Sequence, residues 1–271
     1  MTAPGCGPCL NGLRVVVTAS TRGLGRGIAE RLLDYGARVV VNGSSVDGVS
    51  SALSELRGRY GGGRVEGFAA DLREPAEAAR LVDMAASALG GLDAGVYVPP
   101  PPPPGKFSDV GEEEWRIWAN ALALSPVWFT RALLRYIEPR RDGSGGIVYV
   151  TSVAVREPIP DIVLSNVLRI SMHGLVRSLA HELGPRGIRV NAVLPGYFLT
   201  DRVRSLAEKR AEERGVSAEE VIEEIGREVP LRRIGDPHEL GDVVAFLLSP
   251  MASYVSGASI PVDGGRLRGV F

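Results

Sequence analysis

The chain has almost no net charge and no long apolar run. Its 31 basic and 32 acidic residues leave a net charge of −1 at pH 7, so nothing favours nucleic acid or an anionic membrane as a partner. No apolar run reaches the roughly 20 residues of a membrane-spanning helix, and the N-terminal residues lack the basic and apolar segments of a secretory signal. We therefore expect one cytoplasmic domain of enzyme size that acts on a small molecule, because 271 residues with 45% hydrophobic content suit a single core.

Cysteine occurs only at Cys6 and Cys9, in the sequence Cys-Gly-Pro-Cys. This is the spacing of thioredoxin-type redox sites, but such a site needs a helix N-terminus beneath its first thiol. Here the motif lies in a proline- and glycine-rich segment ahead of the first predicted strand, which favours a tail with free thiols or a local disulfide. One such pair supplies only half of a structural zinc site, and we predict no metal.

Apolar β-branched runs alternate with helical patterns along the whole chain. Strands are predicted at residues 13–18, 38–42, 64–70, 94–98, 146–152, 189–194 and 259–262. Helices are predicted at 25–35, 50–60, 74–89, 112–137, 164–183 and 237–248, with two charged helices within 200–229. This alternation predicts an α/β fold of the Rossmann type, in which one doubly wound parallel sheet is covered by helices on both faces, giving three layers in a single domain.

A glycine-containing loop joins the first predicted strand to the first predicted helix. It reads Thr18-Ala19-Ser20-Thr21-Arg22-Gly23-Leu24-Gly25. Glycine lets the backbone approach a pyrophosphate, and the following helix N-terminus supplies amide donors and the positive end of a dipole. Residues 19–25 are therefore predicted to bind a dinucleotide, the alternative being a tight turn without a ligand.

The end of the second predicted strand bears on the choice of cofactor. Folds that bind NAD often place an acidic residue there for the ribose hydroxyls, but here no acid follows until Asp47. Arg22 in the loop, together with Ser44, suits a 2′-phosphate, so the sequence favours NADP(H) over NAD(H). The alternative for Arg22 is a solvated surface residue.

Further motifs follow in order, and together they resemble the short-chain dehydrogenase/reductase family from about residue 13 to residue 265. The matching segments are Ala70-Asp71-Leu72, Asn120 on the long helix, Ser152 at the end of the fifth strand, Gly-Ile-Arg-Val-Asn-Ala-Val-Leu-Pro195-Gly196, Thr200, and the segment 256–265. The resemblance is greatest to the 3-oxoacyl-carrier-protein-reductase-like branch. It implies that Asp71 and Leu72 hold the adenine, that Pro195, Gly196 and Thr200 hold the nicotinamide end, and that Asn120 and Ser152 are catalytic.

The chain departs from the family pattern at three places. Thirteen residues after its catalytic serine the family has tyrosine, and four later lysine, whereas this chain has Ser165 and Arg169. The fourth strand ends in six consecutive prolines, residues 99–104, instead of Asn-Asn-Ala-Gly. We interpret this proline run as a stiff pocket wall, the alternative being a segment that recruits an aromatic-grooved partner. Ala19 replaces the first glycine of the nucleotide loop.

The altered pair leaves the mechanism open. A serine hydroxyl cannot replace the tyrosine by itself, because its pKa lies far above the ~10 of a phenol. Arginine stays charged and is a poor proton donor, but a fixed guanidinium can stabilise a developing alkoxide. We therefore assign Arg169 to that role beside Ser152, while Ser165 either contributes or is a polar residue at a vacated position.

The carrier of the proton is open between water, Tyr97 and Tyr197. His173 either couples to Arg169 or is an ordinary helix histidine. The expected function is reduction of a carbonyl, or oxidation of an alcohol, with NADP(H). The alternatives are a dinucleotide-binding sensor or scaffold without turnover, and a reaction that needs no protonation of an oxygen.

The domain boundaries follow from the same patterns. Residues 1–12 are predicted to be a flexible tail and 13–271 the dinucleotide-binding domain. Within it, residues 201–230 form two charged amphipathic helices, which the resemblance implies are a substrate lid; the alternative is a helical arm that contacts a partner or another subunit. The resemblance also implies a homotetramer, with a homodimer as the alternative.

Overall fold

A seven-stranded parallel sheet runs through the centre of the molecule, in the order β3-β2-β1-β4-β5-β6-β7. The structure is a computed structural model and describes residues 8–138 and 140–270. The strands are β1 Arg14–Val17, β2 Arg38–Gly43, β3 Val65–Ala69, β4 Ala94–Tyr97, β5 Gly146–Val150, β6 Val190–Pro195 and β7 Ser259–Val262. The order reverses between β1 and β4, and such a reversal opens a crevice at the carboxyl edge of the sheet.

Ten α-helices accompany the sheet in the described residues. They are α1 Gly23–Asp34, α2 Val46–Tyr60, α3 Pro75–Leu89, α4 Glu112–Ala119, α5 Ser125–Leu133, α6 Val163–Leu168, α7 Ser171–Leu183, α8 Asp201–Arg214, α9 Ala218–Arg227 and α10 Pro237–Leu248. Side chains alternate across a strand, so Val15 and Val17 belong to one buried apolar cluster and Val16 to the other. The first cluster includes α1 and α10, and the second includes α3, α5 and α7. The predicted doubly wound, three-layer fold is confirmed.

The single helix predicted over 112–137 is wrong. The chain widens into one π-helical turn, Asn120–Leu124, where the Ser125 N–H bonds to the Asn120 carbonyl. Pro126 follows at once and has no N–H to donate. Since proline also collides with the carbonyl four residues earlier, the regular ladder cannot continue through this point.

The helix predicted over 164–183 is likewise two helices. Arg169 and Ile170 form a tight turn between α6 and α7, in which the N–H of Met172 bonds to the carbonyl of Arg169. The Ser171 hydroxyl donates to the Leu168 carbonyl at 2.6 Å. A serine that bonds to the backbone of the preceding turn competes with the helical pattern, which accounts for the break.

The packed part of the chain begins before residue 13. Leu10 is buried, and its N–H donates to the Tyr35 carbonyl at 2.9 Å. Cys9 is exposed, while Cys6 lies outside the described residues, so the interpretation of the Cys-Gly-Pro-Cys motif stays a prediction. Among the described residues, no helix is both long and apolar enough to cross a membrane.

Candidate functional site

A cavity of about 660 Å³ opens at the carboxyl edge of the sheet, where the strand order reverses. It is lined by the loops that follow β1 to β6, so residues distant in sequence meet there. Most of the predicted site residues line it: Ala19, Thr21, Arg22, Gly23, Leu24, Gly25, Ser44, Asp71, Leu72, Ser152, Ser165, Arg169, Pro195, Gly196 and Thr200. Ser20 and Asn120 do not.

The loop between β1 and α1 keeps a glycine-like backbone although its first glycine is missing. Ala19 has φ +43°, in the left-handed region that costs an L-residue about 1–2 kcal/mol. Its N–H donates to Asn42 Oδ1 at 3.0 Å. A Cβ on Gly25 would lie 2.2 Å from the Ala19 carbonyl oxygen, so glycine is required where the helix approaches the loop.

Ser20 does not line the cavity, so the structure gives its predicted contact with the cofactor no support. Its side chain is buried, where the hydroxyl donates to the Val17 carbonyl at 2.7 Å and accepts the Asn42 N–H at 2.9 Å. Ser20 therefore ties the loop to β2. Asn42, which was not predicted as a site residue, lines the cavity and holds the loop by accepting the Ala19 N–H. Its position as an amide side chain at the end of an apolar strand was the sequence feature that could have indicated this role.

Arg22 and Ser44 both line the cavity, and Ser44 lies between the end of β2 and the first turn of α2. Ser45 caps that helix by accepting the Gly48 N–H at 3.2 Å. Glu55 also lines the cavity, and it is paired with Arg26 at 3.1 Å. These residues therefore present one arginine, two serines and a helix N-terminus, a set of donors suited to an anion.

Asp71 and Leu72 line the cavity as well. The Arg73 guanidinium bonds to both oxygens of Asp71, at 2.6 Å in the shortest contact, and holds the pKa of that carboxyl below its usual range. The carboxylate is therefore charged and fixed at neutral pH.

Three further polar side chains, those of Ser152, Ser165 and Arg169, line the cavity near the end of β5. Arg169 donates through Nε to Ser165 Oγ at 3.3 Å and through Nη1 to the Thr151 carbonyl at 3.0 Å. Ser152 lies next to Thr151, and its hydroxyl oxygen accepts the Ala154 N–H at 3.1 Å. Burial lowers the pKa of Arg169 to about 10, and the like charge of Arg202 adds to this effect. The guanidinium therefore stays charged at neutral pH.

Asn120 lies outside this cluster. It is partly buried at the start of the π-helical turn, and its carbonyl accepts the Ser125 N–H there. Asn120 does not line the cavity, and its catalytic role stays a prediction.

Neither tyrosine proposed as a proton carrier faces the cavity. Tyr97 is fully buried, donates to the Ala121 carbonyl at 2.7 Å, and has its pKa raised by burial. Tyr197 lines a separate small cleft, where the Arg266 guanidinium lies 5.0 Å from its ring. Both are therefore structural residues in this arrangement.

His173 lies behind the reacting end without contacting Arg169 directly. Its Nε2 is 3.1 Å from Thr151 Oγ1 and its Nδ1 is 2.9 Å from Ser259 Oγ. Burial lowers the pKa of His173, so the ring is neutral at pH 7. Its link to Arg169 runs through Thr151, whose carbonyl accepts from the guanidinium.

The proline run forms one wall of the mouth, as predicted, with residues 99–101 lining the cavity. Its start is fixed by the Thr18 hydroxyl, which donates to the Val98 carbonyl at 2.8 Å. Arg202, in the first turn of α8, reaches across and donates to the Pro102 carbonyl at 3.3 Å. Sequence reasoning missed Arg202; its only signal was a position two residues after Thr200.

Known proteins match this chain across nearly its whole length. A family model described as Enoyl-(Acyl carrier protein) reductase matches residues 18–266. Human dehydrogenase/reductase SDR family member 4 is 35% identical over 254 residues, covering 92% of this chain and 86% of that protein. Oxidoreductase UcpA from Escherichia coli K12 is 32% identical over 260 residues, covering 94% and 95% respectively.

The fold matches a solved enzyme as well. L-sorbose reductase from Gluconobacter frateurii, complexed with NADPH and L-sorbose, aligns with a TM-score of 0.89 at 27% identity, covering 96% of this chain and 98% of that one. Strand order, glycine loop and full-length similarity all agree. The chain therefore belongs to the short-chain dehydrogenase/reductase family.

Proposed function

We propose that the protein is an NADP(H)-dependent oxidoreductase that reduces a carbonyl group and catalyses the reverse oxidation. The observation that carries this proposal is that one cavity is lined both by Arg22 and Ser44 and by Ser152 and Arg169. Ser44 follows β2 and Ser152 follows β5, two strands that β1 and β4 separate in the sheet. The sorbose reductase, which has the same fold, is complexed with NADPH, and this supports NADP(H) as the cofactor.

The residues of the cavity fit such a cofactor. The first turn of α1 has neither a side-chain cap nor an acidic residue, so its amides are available to a pyrophosphate. Arg22 and Ser44 would hold the 2′-phosphate and Asp71 and Leu72 the adenine. Pro195, Gly196 and Thr200 would hold the nicotinamide end; a Cβ on Gly196 would lie 2.8 Å from the Asp263 Cα, so this backbone position is also built for glycine.

Ser152 and Arg169 would act on the substrate oxygen. The cofactor, when bound, supplies or accepts the hydride. Ser152 donates a hydrogen bond to the carbonyl oxygen, and the fixed charge of Arg169 stabilises the negative charge that grows there. No tyrosine or histidine lines the described cavity, so we assign the proton to a water molecule held by Ser165. Loss of a side-chain general acid costs about 10²–10⁴-fold in rate, and we expect a slow enzyme.

Titration with NADPH and NADH, followed by nicotinamide fluorescence, tests the cofactor assignment. We expect saturable binding in which NADPH is preferred, and we expect Arg22→Ala to remove that preference while leaving the affinity for NADH unchanged. Arg59→Ala is the control, since Arg59 is an exposed arginine of α2 that does not line the cavity and whose ion-pair partners do not line it either. Equal affinities that Arg22→Ala leaves unchanged would rule out the 2′-phosphate role.

One observation favours the alternative of a dinucleotide-binding protein without turnover. The cavity contains Ser165 and Arg169 where the family has its proton-transfer pair, and both candidate tyrosines lie elsewhere. Tight NADPH binding without oxidation of NADPH in a screen of ketones, aldehydes and oxo acids would favour that alternative.

We also propose a homotetramer or homodimer in the cytoplasm. Four large apolar side chains are exposed between residues 124 and 170, namely Leu124, Trp128, Val167 and Ile170. Exposed apolar groups of this size are typical of an interaction surface. Light scattering on the purified protein decides between a monomer and an assembly.

A further inference from the structure

Two arginine side chains face the reacting end of the cavity without an acidic partner. Arg169 donates to Ser165 and to the Thr151 carbonyl, and Arg202 donates to the Pro102 carbonyl. Within the described residues, all side-chain hydrogen bonds of these two guanidiniums go to such neutral acceptors. Two cations that share a cavity in this way are stabilised by an anionic ligand.

The carboxylates that line the cavity do not supply this counter-charge. Glu55 is paired with Arg26, and Asp71 is paired with Arg73. Asp201 is the neighbour of Arg202 in the first turn of α8, and its side chain is exposed. No ion pair within 4.0 Å joins Asp201 to either arginine in the described chain.

The two charges also influence each other. Burial is the main reason for the lowered pKa of Arg169, the buried Tyr97 opposes it, and the like charge of Arg202 lowers it further. Arg202 is therefore close enough for its charge to act at the reacting end, although it stands on the lid helix. The phosphates of a dinucleotide have other partners in this cavity, namely Arg22 and the α1 amides.

We propose that the substrate is an oxo acid, whose carboxylate is bound by Arg202 while its carbonyl oxygen lies between Ser152 and Arg169. This inference rests on the proposed carbonyl chemistry and names the substrate class for it. Arg202 is suited to the role because a single 3.3 Å bond to Pro102 orients its guanidinium and leaves other N–H groups free for a bidentate contact with a carboxylate.

Short oxo acids and their methyl esters test the proposal. The probes are pyruvate, acetoacetate and levulinate, which place the carboxylate at three distances from the carbonyl. With NADPH saturating, we expect kcat/KM for at least one acid to exceed that for its ester by about 10-fold or more, the size of a charge-assisted hydrogen bond. Arg202→Gln should remove that preference, so that the ratio of kcat/KM for the acid to kcat/KM for its ester falls to about one, whatever the absolute rate with the ester.

Arg204→Gln is the matched control, because Arg204 is an exposed arginine of the same helix that does not line the cavity. It should keep the preference for the acid. Equal rates for acids and esters in the unaltered enzyme would overturn the proposal. So would a loss of NADPH affinity in Arg202→Gln that accounts for its whole effect, since Arg202 would then serve the phosphates of the cofactor.

Failure of the carbonyl chemistry is distinguishable from failure of this inference. Turnover of the esters with no preference for the acids leaves the oxidoreductase proposal standing and removes the oxo acid. Binding of NADPH without turnover of any probe would rule out the proposed carbonyl reduction. In that case the anion site is tested by calorimetric titration of NADP⁺-saturated protein with levulinate, in place of reaction rates. The anion site is supported if levulinate gives a heat of binding, methyl levulinate gives none, and Arg202→Gln gives none with levulinate. Equal heats for the acid and the ester would overturn the proposal.

Discussion

Ala19 holds a backbone conformation that glycine adopts without strain. Its φ of +43° predicts that Ala19→Gly stabilises the fold by about 0.5–1 kcal/mol, after the greater entropy of glycine in the unfolded chain is allowed for. Urea unfolding measures this change. Ala88→Gly, on the exposed right-handed surface of α3, is the control and should destabilise by about 1 kcal/mol. A destabilised Ala19→Gly would contradict the strain at this loop.

Arg169 is the one side chain on which the proposed chemistry depends most. Arg169→Met should lower kcat by about 10²-fold, because the charge that stabilises the oxyanion is lost. Steady-state rates, measured with any carbonyl compound that the unaltered enzyme reduces, test this. Unchanged turnover would exclude the electrostatic role.

Restoring the family's pair gives the opposite expectation. Ser165→Tyr with Arg169→Lys should raise kcat by about 10²–10⁴-fold, since a phenol beside a lysine supplies general acid catalysis. The same double change with phenylalanine at position 165 adds the ring without the hydroxyl and should give no gain. Equal gains from both would mean that the effect comes from packing.

Helices α1 and α10 are joined by a pH-dependent contact. His238 of α10 lies 2.7 Å from Glu30 of α1 and 2.8 Å from Asp236. Burial alone would lower the pKa of His238, but the bonds to the two carboxylates raise it. A raised histidine pKa contributes stability that is fully present below the unfolded value of ~6.5 and is lost as the pH rises through the folded value.

His238→Gln should therefore destabilise the protein more at pH 5.5 than at pH 9, as measured by urea unfolding at both. The partly exposed position keeps the effect small. His181→Gln is the control, because His181 is exposed on α7 and makes no side-chain hydrogen bond within the described residues. A loss of the same size at both pH values would exclude the charged contact.

The helices show where local sequence patterns stop being informative. Apolar residues recur with helical spacing on both sides of each interruption, in residues 112–137 and in residues 164–183. The helices could therefore be predicted, but the points where they are interrupted could not. Their causes are single contacts: the missing N–H of Pro126, which the sequence did show, and the hydroxyl of Ser171, whose bond to Leu168 depends on its rotamer. Periodicity averages over such contacts.

At the scale of the whole molecule, the helix pair α8 and α9 is weakly anchored to the rest of the described chain. Its own buried cluster consists of Ala207, Ala211 and Val221, whereas each face of the sheet has a far larger one. We expect amides of α8 and α9 to exchange with deuterium at a much lower opening free energy than those of β1. Mass spectrometry measures this, and equal protection in both regions would contradict it.

The site could be predicted largely because parallel strands bring their carboxyl ends to one edge, which places motifs such as those of Arg22, Ser152 and Arg169 together whatever their separation in sequence. Side-chain direction could not be predicted in the same way. Tyr97 ends a strand beside the cavity, yet its side chain is buried in the core by packing against elements far along the chain. Arg202 is exposed on a charged helix, and a single hydrogen bond to the Pro102 carbonyl directs its guanidinium.

The proline wall has a kinetic consequence. Prolines have fixed φ angles and no amide to exchange, so the wall that begins at Val98 is stiff, while the opposite side of the mouth is the weakly anchored α8. Entry and exit of a ligand would then depend on movement of α8, and that movement would break the hydrogen bond from Arg202 to the Pro102 carbonyl. The time for which the product stays bound, and with it the upper limit on kcat, would be set by how often that hydrogen bond breaks.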